Sequence, residues 1–425
     1  MTHYDAIVIG AGPAGAVAAH DLAKGGLRVA LIEKHTLPRH KTCGGGIPTL
    51  TKNLLSLAEM GEVRDLAPDA FVECHVTQMR HTYNFDDPHL GEMNPDAEAN
   101  PDEALALWMV QRSVFDNALA QRAANAGADL REGLALKSLE IVKGKPVLVR
   151  AEGKNGVWEA TADVVIGADG ANGMTAKCVG LRKERSLAIA IEAEIPHTWG
   201  EGHPDLRPDV AHLEFGAIKL GYAWVFPKGD HINVGAGVFR PKRESGRGDS
   251  NVKEQLHKAI HDYLEMLGVP QEPGSLTYHA HPLPIWDGLD KIQTRDGKVL
   301  LVGDAAGLIN PFFGDGIFHA LTSGKIAAQC LLEGDPKGYT KAISHEFKAN
   351  FDAALRIAKI FYQWPHFAYR HGIKRPYATY TATKLLSGQV KFNEVSGRII
   401  GRIRNAMRVD KKAGVINNDE MPDAL

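Results

Sequence analysis

The feature that most constrains this chain is a glycine motif close to its N-terminus. An apolar run over residues 4–9 leads directly into the motif Gly10–Gly15, of sequence GAGPAG, and an alanine-rich segment follows. A second apolar run over residues 28–32 ends on Glu33. This order of strand, glycine turn, helix, strand and acid is typical of a βαβ unit that binds a dinucleotide.

The residues of this unit have separate physical roles. Gly10 permits a tight turn, Gly12 leaves the backbone open to a pyrophosphate, and Gly15 lets the helix lie close to the strand. The helix N-terminus offers free N–H groups and the positive end of its dipole to the phosphates. The Glu33 carboxylate can accept hydrogen bonds from both hydroxyls of a ribose. The predicted nucleotide contacts are Gly10, Gly12, Pro13, Ala14, Gly15, Glu33 and Lys34.

Composition narrows the class of protein. With 425 residues, 44% of them hydrophobic, the chain can bury more than one core, so two or three lobes are expected. A net charge of −2 argues against nucleic acid as a partner. The four cysteines are widely spread and show no metal-ligand spacing, which predicts a reduced, cytoplasmic protein without a metal site.

Two further observations concern membranes and targeting. The βαβ unit begins at residue 4, which leaves no room for a leader before it. No run approaches the ~20 apolar residues that span a bilayer. Contact with a membrane, if any, is therefore expected to be peripheral.

Changes of pattern predict an α/β protein with three regions. Strand-and-glycine patterns over 1–70, 105–182 and 290–335 predict a discontinuous Rossmann-like domain that binds a dinucleotide. Alternating apolar and polar residues over 183–289, taken together with 71–104, predict a substrate domain built on an antiparallel sheet. Residues 336–425 predict a helical C-terminal region whose last ~15 residues are frayed.

Two local predictions are more specific. A helix is predicted to begin near Arg112 and to run to about Gly127, with Ser113 as its N-cap and Asp116 three residues later. The acidic stretch of residues 84–104 is rich in Pro, Asn and Asp, and it is predicted to be a surface excursion.

A second glycine-rich stretch follows a basic loop over residues 34–42. Three consecutive glycines after Cys43 allow a sharp bend or close contact with a flat ring, although a flexible connector would have the same composition. Its nearness to the nucleotide unit favours contact with a cofactor. The residues concerned are Cys43, Gly44, Gly45 and Gly46.

Two later apolar strands also end on a glycine and an acid, at Asp169-Gly170 and at Gly303-Asp304. Together with the first motif, this order resembles the group A flavoprotein oxidoreductases, which have the hydroxylase-like FAD fold. The resemblance implies FAD as cofactor, with Asp169 and Gly170 close to it and Asp304 on the ribitol. It also implies that Arg112 reaches the cofactor phosphates, whereas an isolated arginine there would more often be a solvated helix cap.

A narrower resemblance, to the geranylgeranyl reductases, rests on four stretches. They are the loop 41–48, the Tyr-x-Trp-x-Phe-Pro pattern at 222–228, the segment 233–237 and the segment 303–317. The last of these implies flavin contacts by Gly303, Asp304, Gly314, Gly316 and Ile317. The sequence departs from the family after Gly170, where Gly173 and Ala176 stand in the places of a serine and an arginine, so no nicotinamide docking mode is predicted.

The family resemblance implies a reaction, the saturation of isolated double bonds in a prenyl chain. Such an alkene is not polarised, so it needs a hydride from reduced flavin together with a proton from an acid, in an apolar site. The implied substrate is a geranylgeranyl or other polyprenyl group on a diphosphate, lipid, quinone or chlorophyll-type head. The implied electron donor is NADPH or a reduced ferredoxin.

Three residues are candidate catalytic groups. An ordinary thiol is protonated at neutral pH, so Cys43 is a candidate proton donor, although free cysteines are often small buried hydrophobes. Tyr222 and Trp224 are two positions apart and share one face of a strand. Their rings are candidates for the wall of a prenyl tunnel, where a ring face can stabilise a developing cation, or they are core aromatics of a sheet.

Other interpretations remain open. One is a flavin monooxygenase or halogenase of the same fold, although halogenases carry Trp-x-Trp-x-Ile-Pro where this chain has Tyr222 and Phe226. Another is a non-enzymatic flavin or lipid carrier. Basic residues of the tail predict either a solvated helix face or contact with a diphosphate or anionic lipid. These are Arg398, Arg402, Arg404, Arg408, Lys411 and Lys412.

Overall fold

A computed structural model describes residues 1–55, 71–96, 105–182, 186–240, 249–269, 271–272, 274–288 and 291–412. The first strands in chain order are β1 (Thr2–Ile9), β2 (Val29–Glu33), β3 (Gly46–Pro48), β4 (Val72–Val76), β5 (Gln78–Tyr83), β6 (Asp86–Glu92), β7 (Leu107–Val110) and β8 (Asp129–Glu132). The others are β9 (Ala135–Glu140), β10 (Val147–Gly153), β11 (Gly156–Gly167), β12 (Leu187–Pro196), β13 (Val210–Phe215), β14 (Gly221–Pro227), β15 (His231–Arg240), β16 (His279–Pro284) and β17 (Val299–Leu301).

The helices follow the same chain order. They are α1 (Pro13–Lys24), α2 (Thr51–Leu54), α3 (Arg112–Asn125), α4 (Thr175–Cys178), α5 (Asp249–Met266), α6 (Gly303–Ala306), α7 (Ile317–Leu332), α8 (Tyr339–Ile343), α9 (Ala349–Gln363), α10 (Pro365–Ala368), α11 (Ala378–Leu386) and α12 (Phe392–Lys412). A 3₁₀ turn spans Pro336–Gly338, and π-helical segments span Ser344–Lys348 and Tyr369–Ile373. Among these described helices, none combines the length and the apolar sequence that crossing a bilayer requires.

The first seven-stranded sheet has the order β8-β2-β1-β11-β10-β9, and β17 pairs with β11. Strands β8, β2, β1, β11 and β17 are parallel, whereas β10 and β9 add an antiparallel edge. Residues 6–9 and 29–32 are buried because helices cover one face and other strands the opposite face, as their continuous apolar runs predict. On the helical face, α1 packs closely on α7. A Cβ added to Gly324 of α7 would lie 2.3 Å from the carbonyl oxygen of Ala14 in α1.

The second seven-stranded sheet has the order β16-β12-β15-β14-β13-β5-β6 and is antiparallel except between β13 and β5. One face packs on α5 through residues such as Val225, Val234 and Tyr263. Because side chains alternate along a strand, Tyr222 and Trp224 point to the other face. On that face Tyr222 contacts Phe313 and the ring of Tyr362 in α9, so both faces of this sheet are covered.

The predicted fold class is confirmed: the protein combines a Rossmann-like sheet, a second and largely antiparallel sheet, and a helical C-terminal region. A small third sheet, of order β3-β7-β4, stands beside them. It carries residues 72–76, a part of the predicted substrate region 71–104, and it leads the Cys43 loop into β3. The domain boundaries themselves remain a prediction.

One of the two local predictions needs correction. Helix α3 begins at Arg112, and its N-cap is Gln111 rather than Ser113, because Gln111 has the extended backbone (φ −80°, ψ 121°). Asp116 accepts a hydrogen bond from Arg112 and does not form a capping box with Ser113. The stretch 84–104 contains regular structure, since residues 86–92 form the edge strand β6, but that strand is mostly exposed, as the prediction of a surface segment requires. Residues 97–104 and the predicted frayed residues 413–425 lie outside the described ranges.

Candidate active site

The first glycine turn forms a cradle whose shape depends on the absence of side chains. Gly10 has φ +103°, and a Cβ there would lie 2.5 Å from the Ala168 carbonyl oxygen. A Cβ on Gly15 would lie 1.9 Å from the carbonyl oxygen of Gly10. A Cβ on Gly12 would meet only the Arg39 guanidinium, at 3.8 Å. Gly10 and Gly15 therefore close the turn, whereas Gly12 leaves open space at the start of α1.

Glu33 holds this cradle together. Its carboxylate is buried and accepts hydrogen bonds from the N–H of Ala11 at 3.0 Å and of His35 at 3.1 Å. Arg39 Nε lies 3.6 Å from Oε1 of Glu33. Glu33 also lines the cavity, and its contact with ribose hydroxyls remains a prediction. Lys34 is exposed and lines the same cavity as Glu33.

The Asp304 turn adjoins the first cradle, since a Cβ on Gly303 would lie 3.3 Å from the Cβ of Ala14. Gly303 has φ +54° and donates its N–H to Ser323 Oγ at 3.0 Å, which fixes the start of α6. Burial alone would raise the pKa of Asp304, but His281, 3.9 Å away, and the charge of Lys41 outweigh it and hold that pKa below its ordinary value. Asp304 is therefore an ionised acceptor, as a ribitol hydroxyl would need.

The segment after Asp304 follows the same cavity. Gly314 has φ +75°, and a Cβ there would come within 3.5 Å of the Tyr222 hydroxyl. A Cβ on Gly316 would lie 3.5 Å from Oδ1 of Asp304, and Ile317 begins α7. All three residues line the cavity, so their predicted flavin contacts are sterically available.

The Asp169 turn is held mainly from within. Oδ2 of Asp169 accepts from the N–H of Thr175 at 2.8 Å and from its hydroxyl at 2.9 Å. Burial raises the pKa of Asp169 in spite of these hydrogen bonds. A Cβ on Gly173 would lie 2.2 Å from the Asp169 carboxyl carbon, so a larger residue there would displace that carboxylate. Gly170, with φ +74°, faces open space.

The Cys43 loop, residues 43–46, lies between β7 of the small sheet and the second large sheet. The N–H of Cys43 donates to Oε1 of Glu192 at 2.7 Å, and the N–H of Gly45 points at the Cys43 sulfur at 3.4 Å. A Cβ on Gly44 would lie 2.7 Å from the Phe226 ring. The loop thus packs directly on the Tyr-x-Trp-x-Phe strand, although 180 residues separate them in the chain.

The structure places Arg112 beside Cys43. Arg112 is buried and donates to both oxygens of Asp116, at 2.8 and 2.9 Å. Burial would lower the pKa of Arg112, but the charge of Asp116 and a hydrogen bond with Cys43 raise it. Arg39 Nη1 also lies 3.1 Å from Asp116. Arg112 therefore brings a permanent positive charge to the thiol, and its predicted contact with cofactor phosphates remains a prediction.

Tyr222 and Trp224 use their polar atoms to shape the site. The Tyr222 hydroxyl donates to the carbonyl of Phe313 at 2.6 Å, and burial raises the pKa of Tyr222. Trp224 Nε1 donates to Oδ1 of Asn233 at 2.9 Å. Their rings, 6.0 Å apart between centroids, face the cavity. Because the Tyr222 proton is already bonded to a carbonyl, this residue serves as a wall and a loop support.

Replacing Tyr222 with phenylalanine is expected to lower the free energy of unfolding by about 1 kcal/mol, since the bond to the Phe313 carbonyl is lost while the ring remains. Urea unfolding measures this change. Tyr377→Phe, at a 61% exposed position, is the control and should leave stability unchanged. Equal stability of Tyr222→Phe and wild type would contradict the support role.

One continuous cavity, of about 890 Å³, joins these parts. It runs from the glycine cradle past the Cys43 loop into a region enclosed by the second sheet and the C-terminal helices. Its inner walls are largely apolar and aromatic, with Met79, Leu213, Phe215, Tyr222, Trp224, Phe239, Phe312, Phe361 and Leu386. Every predicted site residue lines this cavity except Gly15, which packs against Gly10.

The far end of the cavity is lined by Arg402 of the basic tail, together with His371 and Arg375. Arg398 and Arg404 are exposed and do not line it. The side chains of Arg408, Lys411 and Lys412 lie outside those that the structure describes. Contact of the tail with an anionic group remains a prediction.

Comparison with known proteins identifies the family. The chain matches the FAD binding domain family over residues 3–322. It is 31% identical to a geranylgeranyl diphosphate reductase of Rhodobacter capsulatus, over 77% of this chain and 75% of that protein. The chain belongs to the geranylgeranyl reductase family of FAD-dependent oxidoreductases. It is also 28% identical to digeranylgeranylglycerophospholipid reductase 1 of Methanopyrus kandleri, over 84% of this chain and 90% of that protein.

A solved structure has the same fold. A geranylgeranyl bacteriochlorophyll reductase-like protein of Thermoplasma acidophilum matches with a TM-score of 0.70 and 24% identity, over 98% of this chain and 100% of that one. The predicted FAD cofactor is confirmed at the level of the family. In this FAD-dependent oxidoreductase the residues fit the cofactor, because Gly12 and Gly170 leave space and Asp304 is ionised beside them.

Several buried ionisable residues were not predicted as site residues. Lys41, Glu192, Lys228 and His281 all lie at or beside the cavity and were missed. A usable signal was present for Glu192 and Lys228, since each is an ionisable residue within or directly after an apolar strand. Such residues are seldom buried unless they are paired.

His81, in the cavity wall, is predicted to make the protein sensitive to acid. Burial, and the nearby His89 and His212, lower the pKa of His81 to about 3. In the unfolded chain this imidazole has a pKa of about 6.5, so below that pH it is protonated in the unfolded state but not in the folded state. The free energy of unfolding therefore falls, by about 2 kcal/mol between pH 6.5 and 5. We expect His81→Gln to show a smaller loss in urea unfolding at these two pH values.

The exposed His345 offers a control, since His345→Gln should lose as much stability as wild type between the same pH values. An unchanged pH dependence in His81→Gln would show that this imidazole is not the source.

Proposed function

We propose that this protein is an FAD-dependent reductase that saturates isolated double bonds of geranylgeranyl or other polyprenyl groups. The observation that carries the proposal is the single cavity leading from the glycine cradle, past Cys43, into an aromatic-walled apolar pocket. Relatives named as geranylgeranyl diphosphate reductase and digeranylgeranylglycerophospholipid reductase support it.

The proposed chemistry divides the work between cofactor and protein. Reduced FAD, when bound, supplies a hydride to one carbon of the alkene. Cys43 gives a proton to the other carbon, so that the S–H bond breaks, the C=C double bond becomes a single bond, two C–H bonds form and a thiolate remains. The Gly45 N–H, 3.4 Å from the sulfur, and the adjacent Arg112 stabilise that thiolate.

The walls of the pocket contribute orientation and exclusion of water. The rings of Tyr222, Trp224 and Phe215 hold the prenyl chain in a low-dielectric environment, which keeps it in reach of the reacting groups. A ring face also stabilises positive charge that develops on the tertiary carbon during protonation. A pocket of this kind selects an apolar chain and leaves the head group toward the mouth.

Further parts of the proposal concern partners and organisation. The head group is a diphosphate, lipid, quinone or chlorophyll-type group, and the electron donor is NADPH or a reduced ferredoxin. The nucleotide domain comprises 1–70, 105–182 and 290–335, the substrate domain 71–104 and 183–289, and the C-terminal region 336–425. We place the protein in the cytoplasm or peripherally at a membrane.

The test uses purified protein loaded with FAD and reduced with dithionite. Incubation with geranylgeranyl diphosphate should add two hydrogen atoms for each saturated double bond, which mass spectrometry detects, and should reoxidise the flavin. Prenylated lipid and quinone substrates, assayed in parallel, identify the head group. A protein that binds and cycles FAD but adds hydrogen to none of these substrates would overturn the proposal.

The alternative of a flavin monooxygenase or halogenase predicts a different result. Oxygen-dependent consumption of NADPH, stimulated by an aromatic substrate and without prenyl reduction, would favour it. A flavin or lipid carrier predicts bound FAD that no isoprenoid reoxidises.

A further inference from the structure

Lys228 is a lysine almost fully withdrawn from water, directly after β14. It is 1% exposed, and its ammonium donates to the carbonyl oxygens of Gly44 and Val110, both at 2.8 Å. Gly44 belongs to the Cys43 loop and Val110 ends β7, whereas Lys228 follows a strand of the second sheet. One side chain therefore ties together three elements that are distant in sequence.

This arrangement is costly, which suggests that it has a use beyond packing. A buried ammonium loses its hydration, and hydrogen bonds and nearby opposite charges offset that loss only in part. Burial lowers the pKa of Lys228, and the charges of Cys43, Glu73, Glu192 and Glu194 oppose that lowering only in part. An apolar side chain of similar length would fill the same space without this penalty.

Glu192 complements Lys228 on the same loop. It accepts the N–H of Cys43 at 2.7 Å, while Lys228 binds the carbonyl oxygen of the next residue. Because the Cys43 N–H and the Gly44 carbonyl oxygen are both hydrogen-bonded, the backbone of the loop is held in one orientation. Gly45, with φ +73°, then turns its N–H toward the Cys43 sulfur. A Cβ on Gly45 would lie 2.5 Å from Lys228 Nζ, so the lysine packs against the loop without space for a side chain at position 45.

We propose that Lys228 is a positioning residue for the Cys43 thiol and that its buried positive charge stabilises the corresponding thiolate. The inference rests on the proposed function for its role in turnover, but not for its effect on the thiol. The other ionisable groups that act on Cys43 are Lys41, Arg112 and Tyr222, and Glu192 binds its N–H. Among these groups, Lys228 and Glu192 both fix the backbone of the loop, and Lys228 is the one of the two that carries a positive charge.

The experiment measures the reactivity of Cys43 in FAD-loaded protein. Iodoacetamide alkylation is followed at a series of pH values by mass spectrometry of the Cys43 peptide, and the midpoint in pH reports thiolate formation independently of access. Lys228→Met removes both charge and hydrogen bonds, and Lys228→Gln removes the charge but keeps an N–H donor. Lys219→Met, at an exposed position close by in the chain, is the control.

We expect the midpoint to rise by about one pH unit in both Lys228 variants and to stay at the wild-type value in Lys219→Met. Turnover with geranylgeranyl diphosphate should fall about 10-fold to 100-fold in Lys228→Met, through kcat more than KM, and less in Lys228→Gln. The flavin absorbance per mole of protein shows which variants fold. If Lys228→Met does not fold, Lys228→Gln alone tests the effect on the thiol.

The outcomes separate this inference from the proposed function. A shifted midpoint in a protein that reduces no prenyl substrate would support the role of Lys228 and overturn the proposed function. An unchanged midpoint in both variants of a protein that does reduce the substrate would overturn the role of Lys228 and leave the function standing.

Discussion

Replacing Cys43 with alanine is expected to lower kcat for prenyl reduction about 10³-fold while FAD remains bound. The physical reason is that an isolated alkene takes up a hydride only if a proton arrives with it, and water is a poor substitute in an apolar pocket. Stopped-flow reoxidation of the reduced flavin by geranylgeranyl diphosphate measures the loss directly.

The structure supplies a matched control for this prediction. Cys178 is likewise a partly exposed free cysteine but does not line the cavity, so Cys178→Ala should keep wild-type turnover. Cys43→Ser keeps the shape of the side chain with a much weaker acid, so its loss should approach that of the alanine variant. Wild-type turnover in Cys43→Ala would mean that the proton comes from another group.

Replacing Gly15 with alanine is expected to lower the affinity for FAD on the order of 10²-fold or more, because the added carbon cannot fit. Its Cβ would lie 1.9 Å from the carbonyl oxygen of Gly10, and overpacking of this kind costs about 1–3 kcal/mol or more. Relief requires α1 to move away from β1, which opens the turn that carries Gly12. Flavin fluorescence titration of the apoprotein measures the change.

Gly397 tests whether the effect is specific to the cradle. A Cβ there would meet nothing within 4 Å, so Gly397→Ala should bind FAD as wild type does. Full FAD occupancy of Gly15→Ala at wild-type affinity would show that the turn can relax, and that the close contact does not control cofactor binding.

Much of the nucleotide cradle was predictable because its determinants are local. Gly10, Gly12, Gly15 and Glu33 lie within 24 residues of one another, and the strand–turn–helix order dictates what each of them does. The role of Asp304 on the ribitol was implied by the family resemblance of its strand end, and it stays a prediction. No tertiary detail was needed for these assignments.

The surroundings of Cys43 were not predictable in the same way. Glu192, in β12, and Lys228, directly after β14, are 149 and 184 residues away in the chain from the loop residues that they bind. They bind backbone atoms of the loop, which every residue has, so no side chain in the loop signals these contacts. The hydrogen bonds from Arg112 to Asp116, one helical turn later, were not predicted either, whereas the expected contact of Arg112 with the cofactor phosphates stays a prediction. The Tyr222 hydroxyl likewise finds its partner in a carbonyl of a distant loop.

By itself, the sequence determined that this chain folds around a dinucleotide, because short-range spacing of glycines and acids leaves little choice of backbone. Only the tertiary structure decided which side chains surround Cys43 and where the apolar pocket opens. The reason is physical: buried hydrogen bonds and charges depend on distances between strands that are far apart in the chain, and those distances exist only once the sheets have packed.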